Sequence, residues 1–290
     1  MSERQIWLGE GLSSTPALDA RDRGFTLGDG LFETIRAVYG RTPLLALHLA
    51  RLRVGAQVIG LDLRWDDAYL ADAVAAVLSA NLLTDAAMRL TVSRGVPTQR
   101  GLLPDPNAPP SLVIDATPFA GYPDALYRAG ATAVTSAIRR DERSPLSGLK
   151  SLSRLDSVLA RRSAADAGAD EAVLLNTAGR IAGASAANLF VLRRGLLLTP
   201  PLEDGALAGT TRRLLLSELA PALGIATEEA HLDGNGLRNA DEAFLSSALL
   251  GVLPLTAIDE RPIGSGRPGR TTQALAGAWR RRIGLVEGHA

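Results

Sequence analysis

The chain has 290 residues, of which 46% are hydrophobic and 21% charged, a composition typical of a globular protein and not of a disordered one. Its 31 acidic and 31 basic residues balance, so net charge does not favour binding to nucleic acid or to an anionic membrane. The absence of cysteine excludes disulfides, thiol nucleophiles and cysteine-ligated metals. No secretion signal or apolar span is evident, which predicts a cytoplasmic protein. The three histidines, His48, His231 and His289, lack the spacing of a metal site, so no bound metal is expected.

In chain order, the first predicted element is a β-hairpin over residues 25–39, with the glycines of Gly28-Asp29-Gly30 at its turn. Apolar residues at helical spacing predict an amphipathic helix over 45–61. An alanine- and leucine-rich segment predicts a second helix over 66–83. Two apolar runs then predict strands, at 88–93 and 111–116.

A segment with two prolines and a glycine, residues 118–123, is the best candidate for an interdomain linker. Beyond it, apolar runs predict strands at 131–137, 171–176, 187–193 and 243–247. Periodic segments predict helices at 151–167, 211–222 and 271–283. The sequence therefore predicts two α+β domains, at 1–117 and 125–290, joined by a linker over 118–124.

Lysine occurs once in the chain, at Lys150, whereas the other 30 basic residues are arginine. An arginine guanidinium stays protonated and is a poor nucleophile. A lysine amine can lose its proton in a desolvated site and attack a carbonyl to form a Schiff base. Lys150 is therefore a candidate covalent catalyst, in a loop or in the first turn of the helix that follows. The alternative is drift toward arginine codons that left one lysine by chance.

Three further patterns are ambiguous when each is considered alone. The glycine-containing turn at 205–211 opens an apolar helix, where free N–H groups can bind phosphate or the threonines can simply cap the helix. His48 and Arg51 share one side of a helix, which suits phosphate binding or a solvated face. Ser147 and Lys150 match the Ser-x-x-Lys pair of penicillin-recognising hydrolases, but the chain lacks the Lys-Thr-Gly that this family requires.

Taken together, the motifs resemble those of the fold-type-IV pyridoxal-phosphate (PLP) enzymes, the class IV aminotransferases. The order and spacing of the motifs are more specific than any one of them. Six segments between Asp19 and about Leu255 carry the resemblance: 22–34 (DRGFTLGDGLFET), 48–52 (HLARL), 148–155 (GLKSLSRL), 169–172 (ADEA), 185–190 (SAANLF) and 209–211 (GTT).

The resemblance implies a D-amino acid aminotransferase-like fold, with an N-terminal α/β sandwich, a C-terminal pseudo-barrel that carries Lys150, and a homodimeric assembly. It implies that Lys150 is catalytic and forms the Schiff base with PLP. Phe32 and Arg100 are the candidates for substrate binding, with Arg100 directed at a substrate carboxylate. The residues implied in binding the cofactor phosphate are Arg51, Thr210, Thr211 and Ser246 or Ser247.

Within the family, the motifs are most similar to those of aminodeoxychorismate lyases. Such an enzyme eliminates pyruvate from aminodeoxychorismate to give 4-aminobenzoate in folate synthesis. One alternative is an aminotransferase for D- or branched-chain amino acids. Another is a homologue that has lost or changed its catalysis and keeps the fold for binding.

Gly183 departs from the pattern of the family. The family places a glutamate five residues before the asparagine of its motif, here Asn188, and that glutamate holds the pyridine nitrogen of the cofactor. Gly183 cannot do so, which makes the ring a weaker electron sink. Three explanations are open. Another carboxylate or a water replaces the glutamate, or the reaction depends less on electron withdrawal by the ring. The third is that the protein binds the cofactor poorly and has lost or changed its activity. Asp170 and Glu171 are not substitutes, because the family already has acids there.

Overall fold

The computed structural model describes residues 4–285, which divide into two compact units. The first unit comprises residues 4–120 and 149–153, and the second comprises 121–148 and 154–285. Each unit has its own hydrophobic core. Among these residues, no helix is both long and apolar enough to cross a membrane.

The two units differ in one respect from the predicted domains, 1–117 and 125–290. The first three and last five residues of these predicted domains lie outside the described part of the chain. The change of unit after Ala120 falls inside the predicted linker, 118–124. The segment with Lys150, however, was predicted to belong to the C-terminal domain, and it packs with the first unit instead. The physical reason is backbone pairing with a strand of that unit.

The first unit contains an antiparallel sheet with the strand order β2-β1-β5-β4-β3. Its strands are β1 (Ile6–Leu8), β2 (Gly11–Ser13), β3 (Gly30–Ala37), β4 (Ala86–Ser93) and β5 (Ser111–Pro118). Its helices are α1 (Arg23–Leu27), α2 (Leu45–Val58) and α3 (Asp67–Ala80). Alternate residues of β3 and one side of both longer helices form the buried core, which fits the two-residue period of a strand and the 3.6-residue period of a helix.

The predicted hairpin over 25–39 is wrong, because a short helix precedes β3. The Asp22 side chain accepts the Gly24 N–H and caps α1, and Gly28 ends it in the left-handed conformation with φ of 67°. This start and stop are those of a helix and not of a hairpin turn. The predicted helices over 45–61 and 66–83 are confirmed as α2 and α3.

The second unit contains a larger mixed sheet, with the order β11-β10-β9-β12-β13-β6-β7-β8 and with β14 paired to β13. β6 runs parallel to β7 and to β13, whereas β9 and β12 pair antiparallel. The strands are β6 (Ala131–Arg140), β7 (Glu171–Asn176), β8 (Ile181–Ala184), β9 (Asn188–Arg193), β10 (Leu196–Thr199), β11 (Thr227–Glu229), β12 (Glu242–Ser247), β13 (Gly251–Ile258) and β14 (Arg261–Pro262).

Helices cover this sheet or connect its strands. They are α4 (Asp124–Ala129), α5 (Leu155–Asp166), α6 (Thr210–Leu214), α7 (Ala220–Ala222), α8 (Gly234–Arg238) and α9 (Arg270–Arg282). A π-helical turn, Leu215–Leu219, joins α6 to α7, so the predicted helix over 211–222 is nearly continuous. The helix predicted from residue 151 begins only at Leu155. Both units mix helices and strands, which confirms the α+β class.

Candidate active site

Lys150 lies in the loop before α5, as expected from the sequence, and the backbone of this loop pairs locally with β3 through an isolated bridge between Leu31 and Ser151. The Phe32 N–H donates to the Lys150 carbonyl at 2.9 Å, and the Leu152 N–H donates to the Gly30 carbonyl at 3.0 Å. Because β3 is the last strand of its sheet, the segment covers backbone groups that would otherwise form an open edge. The loop with Lys150 is therefore anchored to β3 of the first unit by two backbone hydrogen bonds.

The Lys150 side chain lies over an aromatic ring. Its Nζ is 4.3 Å from the centroid of the Phe32 ring, and the guanidinium carbon of Arg89 is 3.8 Å from the same centroid. Phe32 is buried at 7% exposure, whereas Arg89 is exposed on the neighbouring strand β4. The ring is thus in contact with two basic side chains, at distances typical of cation–π interactions.

On the other side of β3 from this ring, Glu33, His48 and Arg51 form a largely buried polar cluster. Glu33 accepts hydrogen bonds from Arg51 Nε at 2.8 Å and Nη2 at 2.5 Å. It also pairs with His48 Nδ1 at 2.7 Å. Glu33 and His48 are each 1% exposed, so the alternative of a solvated helix face for His48 and Arg51 is excluded. The sequence analysis did not single out Glu33 or Arg89.

In the second unit, the turn before α6 leaves no space for a side chain at Gly209. A Cβ on Gly209 would lie 2.0 Å from Asn188 Oδ1, far inside van der Waals contact. The Asn188 side chain also donates to the Leu207 carbonyl at 2.8 Å. Asn188 thus fixes the turn, which leaves the first N–H groups of α6 without acceptors inside the helix.

Two buried hydroxyls lie on the elements around this turn. Within the described residues, Thr211 Oγ1 and Ser246 Oγ have no hydrogen-bond partner, and both residues are 1% exposed. Ser246 is opposite Asn188 in the pairing of β9 with β12, and α6 packs against β12. Buried hydroxyls without partners are rare in folded proteins, and a phosphate oxygen is a suitable partner. Thr210 is buried beside them.

The remaining predicted residues have different surroundings. The Ser247 hydroxyl accepts the Leu250 N–H at 3.2 Å, so it is used in the turn between β12 and β13. Arg100 is exposed on the loop between β4 and β5. Arg23 fixes this loop by donating to the carbonyls of Gly101 and Leu102, each at 2.9 Å.

Gly183 lies on β8 with φ of 135°, a conformation that other residues rarely adopt. A Cβ there would meet only the Ala187 carbonyl oxygen, at 3.2 Å. Glu171 is already bonded to the Ser185 hydroxyl and to the Ala172 N–H, and Asp170 accepts the Thr132 N–H. Both acids are thus engaged in hydrogen bonds within the second unit.

The sequence profile of the family described as "Amino-transferase class IV" matches residues 30–258. The chain belongs to this family. Class IV aminotransferases depend on PLP, so the protein is a PLP-dependent enzyme. The predicted family, fold and cofactor are confirmed.

Three similar proteins indicate how far the likeness extends within the class IV aminotransferases. A putative branched-chain-amino-acid aminotransferase of Methanocaldococcus jannaschii is 36% identical over 88% of this chain and 87% of its own length. A D-alanine aminotransferase of Bacillus licheniformis is 32% identical over 92% of each chain. The crystal structure of 4-amino-4-deoxychorismate lyase from Pseudomonas aeruginosa is 33% identical, with a TM-score of 0.84, and covers 95% of this chain and 98% of that one.

A solved structure with bound cofactor supports the same conclusion. The T.th. branched-chain amino acid aminotransferase, determined with pyridoxamine 5'-phosphate, superposes with a TM-score of 0.92 at 26% identity. The alignment covers 99% of this chain and 96% of that chain. The alignment therefore includes the residues of both units.

Proposed function

We propose that this class IV aminotransferase transfers the amino group of a small amino acid, of the D- or branched-chain type, to a keto acid. The observation that carries the proposal is the placement of the single lysine over Phe32, beside the buried Glu33 cluster. Most of the similar proteins are aminotransferases for branched-chain amino acids or D-alanine. They favour this function over the lyase that the sequence motifs suggested first.

In this proposal Lys150 is the catalytic residue. Its amine would hold the cofactor and would move a proton to or from the substrate. PLP supplies a reactive carbonyl and an electron-withdrawing ring. The Phe32 ring orients the Lys150 side chain and excludes water from one side of it.

The residues that the family resemblance implies for the cofactor phosphate all carry donors. Arg51 supplies a guanidinium whose plane is fixed by Glu33. Thr211 and Ser246 supply the two buried hydroxyls without partners, and the backbone amides of Thr210 and Thr211 supply further donors.

Ser246→Ala is expected to weaken PLP binding about tenfold, because a hydrogen bond to a charged group contributes about 1.5–3 kcal/mol. Ser247→Ala, one residue away, is the matched control, since its hydroxyl already accepts the Leu250 N–H. The measurement is a spectrophotometric titration of each apoprotein with PLP. Equal weakening in the two variants would show that Ser246 has no special role.

Two arginines are candidates for binding the substrate carboxylate. Arg100 is the one that the sequence predicted, and Arg89 is the one that the structure adds, because its guanidinium contacts the same ring as Lys150. We expect Arg89→Met to raise the KM for the amino acid about tenfold or more, with Arg100→Met as the matched comparison. Steady-state kinetics with each variant distinguish them. A raised KM in Arg100→Met alone would assign the carboxylate to Arg100.

The second candidate function is the lyase reaction, elimination of pyruvate from aminodeoxychorismate to give 4-aminobenzoate. Two observations favour it: the 33% identity to the Pseudomonas aeruginosa lyase, and Gly183, because an elimination needs less of the electron sink than transamination. Incubation with each substrate class tests the choice. Turnover that requires a keto-acid acceptor supports the aminotransferase, whereas pyruvate release from aminodeoxychorismate without an acceptor supports the lyase.

We further propose a homodimer in the cytoplasm, as the resemblance to the family implies. Sedimentation analysis tests the assembly. A third candidate is a homologue with altered catalysis or none, supported only by Gly183. Purified protein that gains no absorbance band with added PLP would favour it over both enzyme functions.

A further inference from the structure

Glu33 is an acid at a position where the sequence pattern calls for an apolar residue. The alternate residues on the same side of β3, namely Leu31, Ile35 and Ala37, belong to the hydrophobic core of the first unit. Glutamate is rarely buried completely unless it is paired. A carboxylate at 1% exposure in this row therefore requires a specific reason.

Both oxygens of the Glu33 carboxylate accept hydrogen bonds. Arg51 donates to both of its oxygens, and His48 donates to one of them from Nδ1. Burial raises the Glu33 pKa, but the hydrogen bonds from Arg51 and His48 outweigh it and hold the pKa below its usual range. Glu33 is thus ionised at neutral pH and only accepts hydrogen bonds.

The state of His48 follows from the same geometry. Burial lowers the His48 pKa, and the charges of Arg51 and Lys150 lower it further, against the opposing effect of Glu33. A neutral His48 beside an ionised carboxylate must carry its proton on Nδ1. Glu33 therefore fixes one tautomer of His48 and one orientation of the Arg51 guanidinium.

The cluster is adjacent to the proposed catalytic lysine. Glu33 follows Phe32 directly, and the Phe32 ring lies 4.3 Å from Lys150 Nζ. Thus a single strand presents the ring to Lys150 from one side and the carboxylate to α2 from the other. A buried ion pair contributes little to stability by itself compared with apolar packing, so a purely structural role explains it poorly.

We propose that Glu33 is a positioning residue that acts through Arg51, holding its guanidinium in the orientation that binds the cofactor phosphate. The inference rests on the proposed PLP site and adds to it a residue that does not touch the phosphate. Pyridoxal has the same ring and carbonyl as PLP but no phosphate. Loss of Glu33 should affect the two ligands differently.

The experiment compares the dissociation constants of PLP and of pyridoxal for apoprotein variants, measured by absorbance titration. Glu33→Gln is expected to weaken PLP about tenfold and to leave pyridoxal unchanged. Arg51→Met should do the same, and the double variant should be no worse than Arg51→Met alone, because both changes remove one interaction. Glu171→Gln is the matched control, a buried carboxylate that pairs with Arg161 at 3.3 Å.

Glu33→Gln that weakens PLP and pyridoxal equally, or neither of them, overturns the inference. If Glu33→Gln does not fold, Glu33→Asp replaces it, since a shorter side chain cannot keep all three hydrogen bonds, and the same selective loss is expected. Wild-type protein that binds neither ligand would contradict the proposed function itself, which distinguishes that failure from failure of the Glu33 assignment.

Discussion

Lys150→Arg is expected to lose covalent attachment of the cofactor completely while it keeps the positive charge over the Phe32 ring. A guanidinium remains protonated and cannot attack the cofactor carbonyl. Catalysis should fall by about 10²–10⁴-fold or more, the contribution typical of a positioned acid–base group. Lys150→Ala should show the same loss, which would exclude a simple effect of side-chain bulk.

Borohydride reduction in the presence of PLP, followed by peptide mapping, measures the attachment. Because Lys150 is the only lysine, any adduct on a side-chain amine of the wild-type protein identifies it directly. Arg143→Lys is the matched control, since it adds a second lysine at a side chain that is 80% exposed in the preceding loop. If the introduced lysine in that variant is labelled as readily as Lys150, the reaction is non-specific and the assignment fails.

The role proposed for Lys150 and its place in a loop came from the sequence, but the pairing that anchors this loop did not. Composition and motif order indicated a Schiff-base lysine. The pairing of its segment with β3 joins residues more than a hundred positions apart, and local sequence patterns carry no information on such pairing. The same limit explains why the segment was placed in the wrong unit.

The buried cluster shows a second limit of sequence analysis. His48 and Arg51 were recognised as sharing one side of α2, but the same spacing fits a solvated face equally well. Glu33 on β3 distinguishes the two possibilities. Its buried carboxylate pairs with His48 and Arg51, so this side of α2 is not solvated. The available signal was a single acid in the apolar row of Leu31, Ile35 and Ala37.

Short strands were the part of the fold that the sequence did not reveal. β8 spans four residues, Ile181–Ala184, and contains a glycine, so it has too little alternation to predict a strand. Its irregular pairing with β7 includes a shift of register after Leu174. The conformation of Gly183 in this strand was consequently unknown from the sequence, although the residue itself had been recognised as a departure.

That conformation determines how the missing carboxylate can be tested. Gly183→Glu introduces the side chain that the family has, but it also forces a non-glycine residue to adopt φ of 135°. Such strain costs about 1–3 kcal/mol. Gly183→Ala carries the same strain without a carboxylate, so the difference between the two variants isolates the carboxylate.

We expect both variants to lower the free energy of unfolding by a similar amount, measured by urea denaturation of the apoproteins. Relative to Gly183→Ala, Gly183→Glu should bind PLP about tenfold more tightly, as expected for one added charge-assisted hydrogen bond, or gain transaminase activity. The Cβ of either variant would lie 3.2 Å from the Ala187 carbonyl oxygen, a tight contact that both variants share. No difference between the variants in either measurement would mean that the absent glutamate does not limit this enzyme, and Gly183 would then cease to support the lyase and the non-catalytic alternatives.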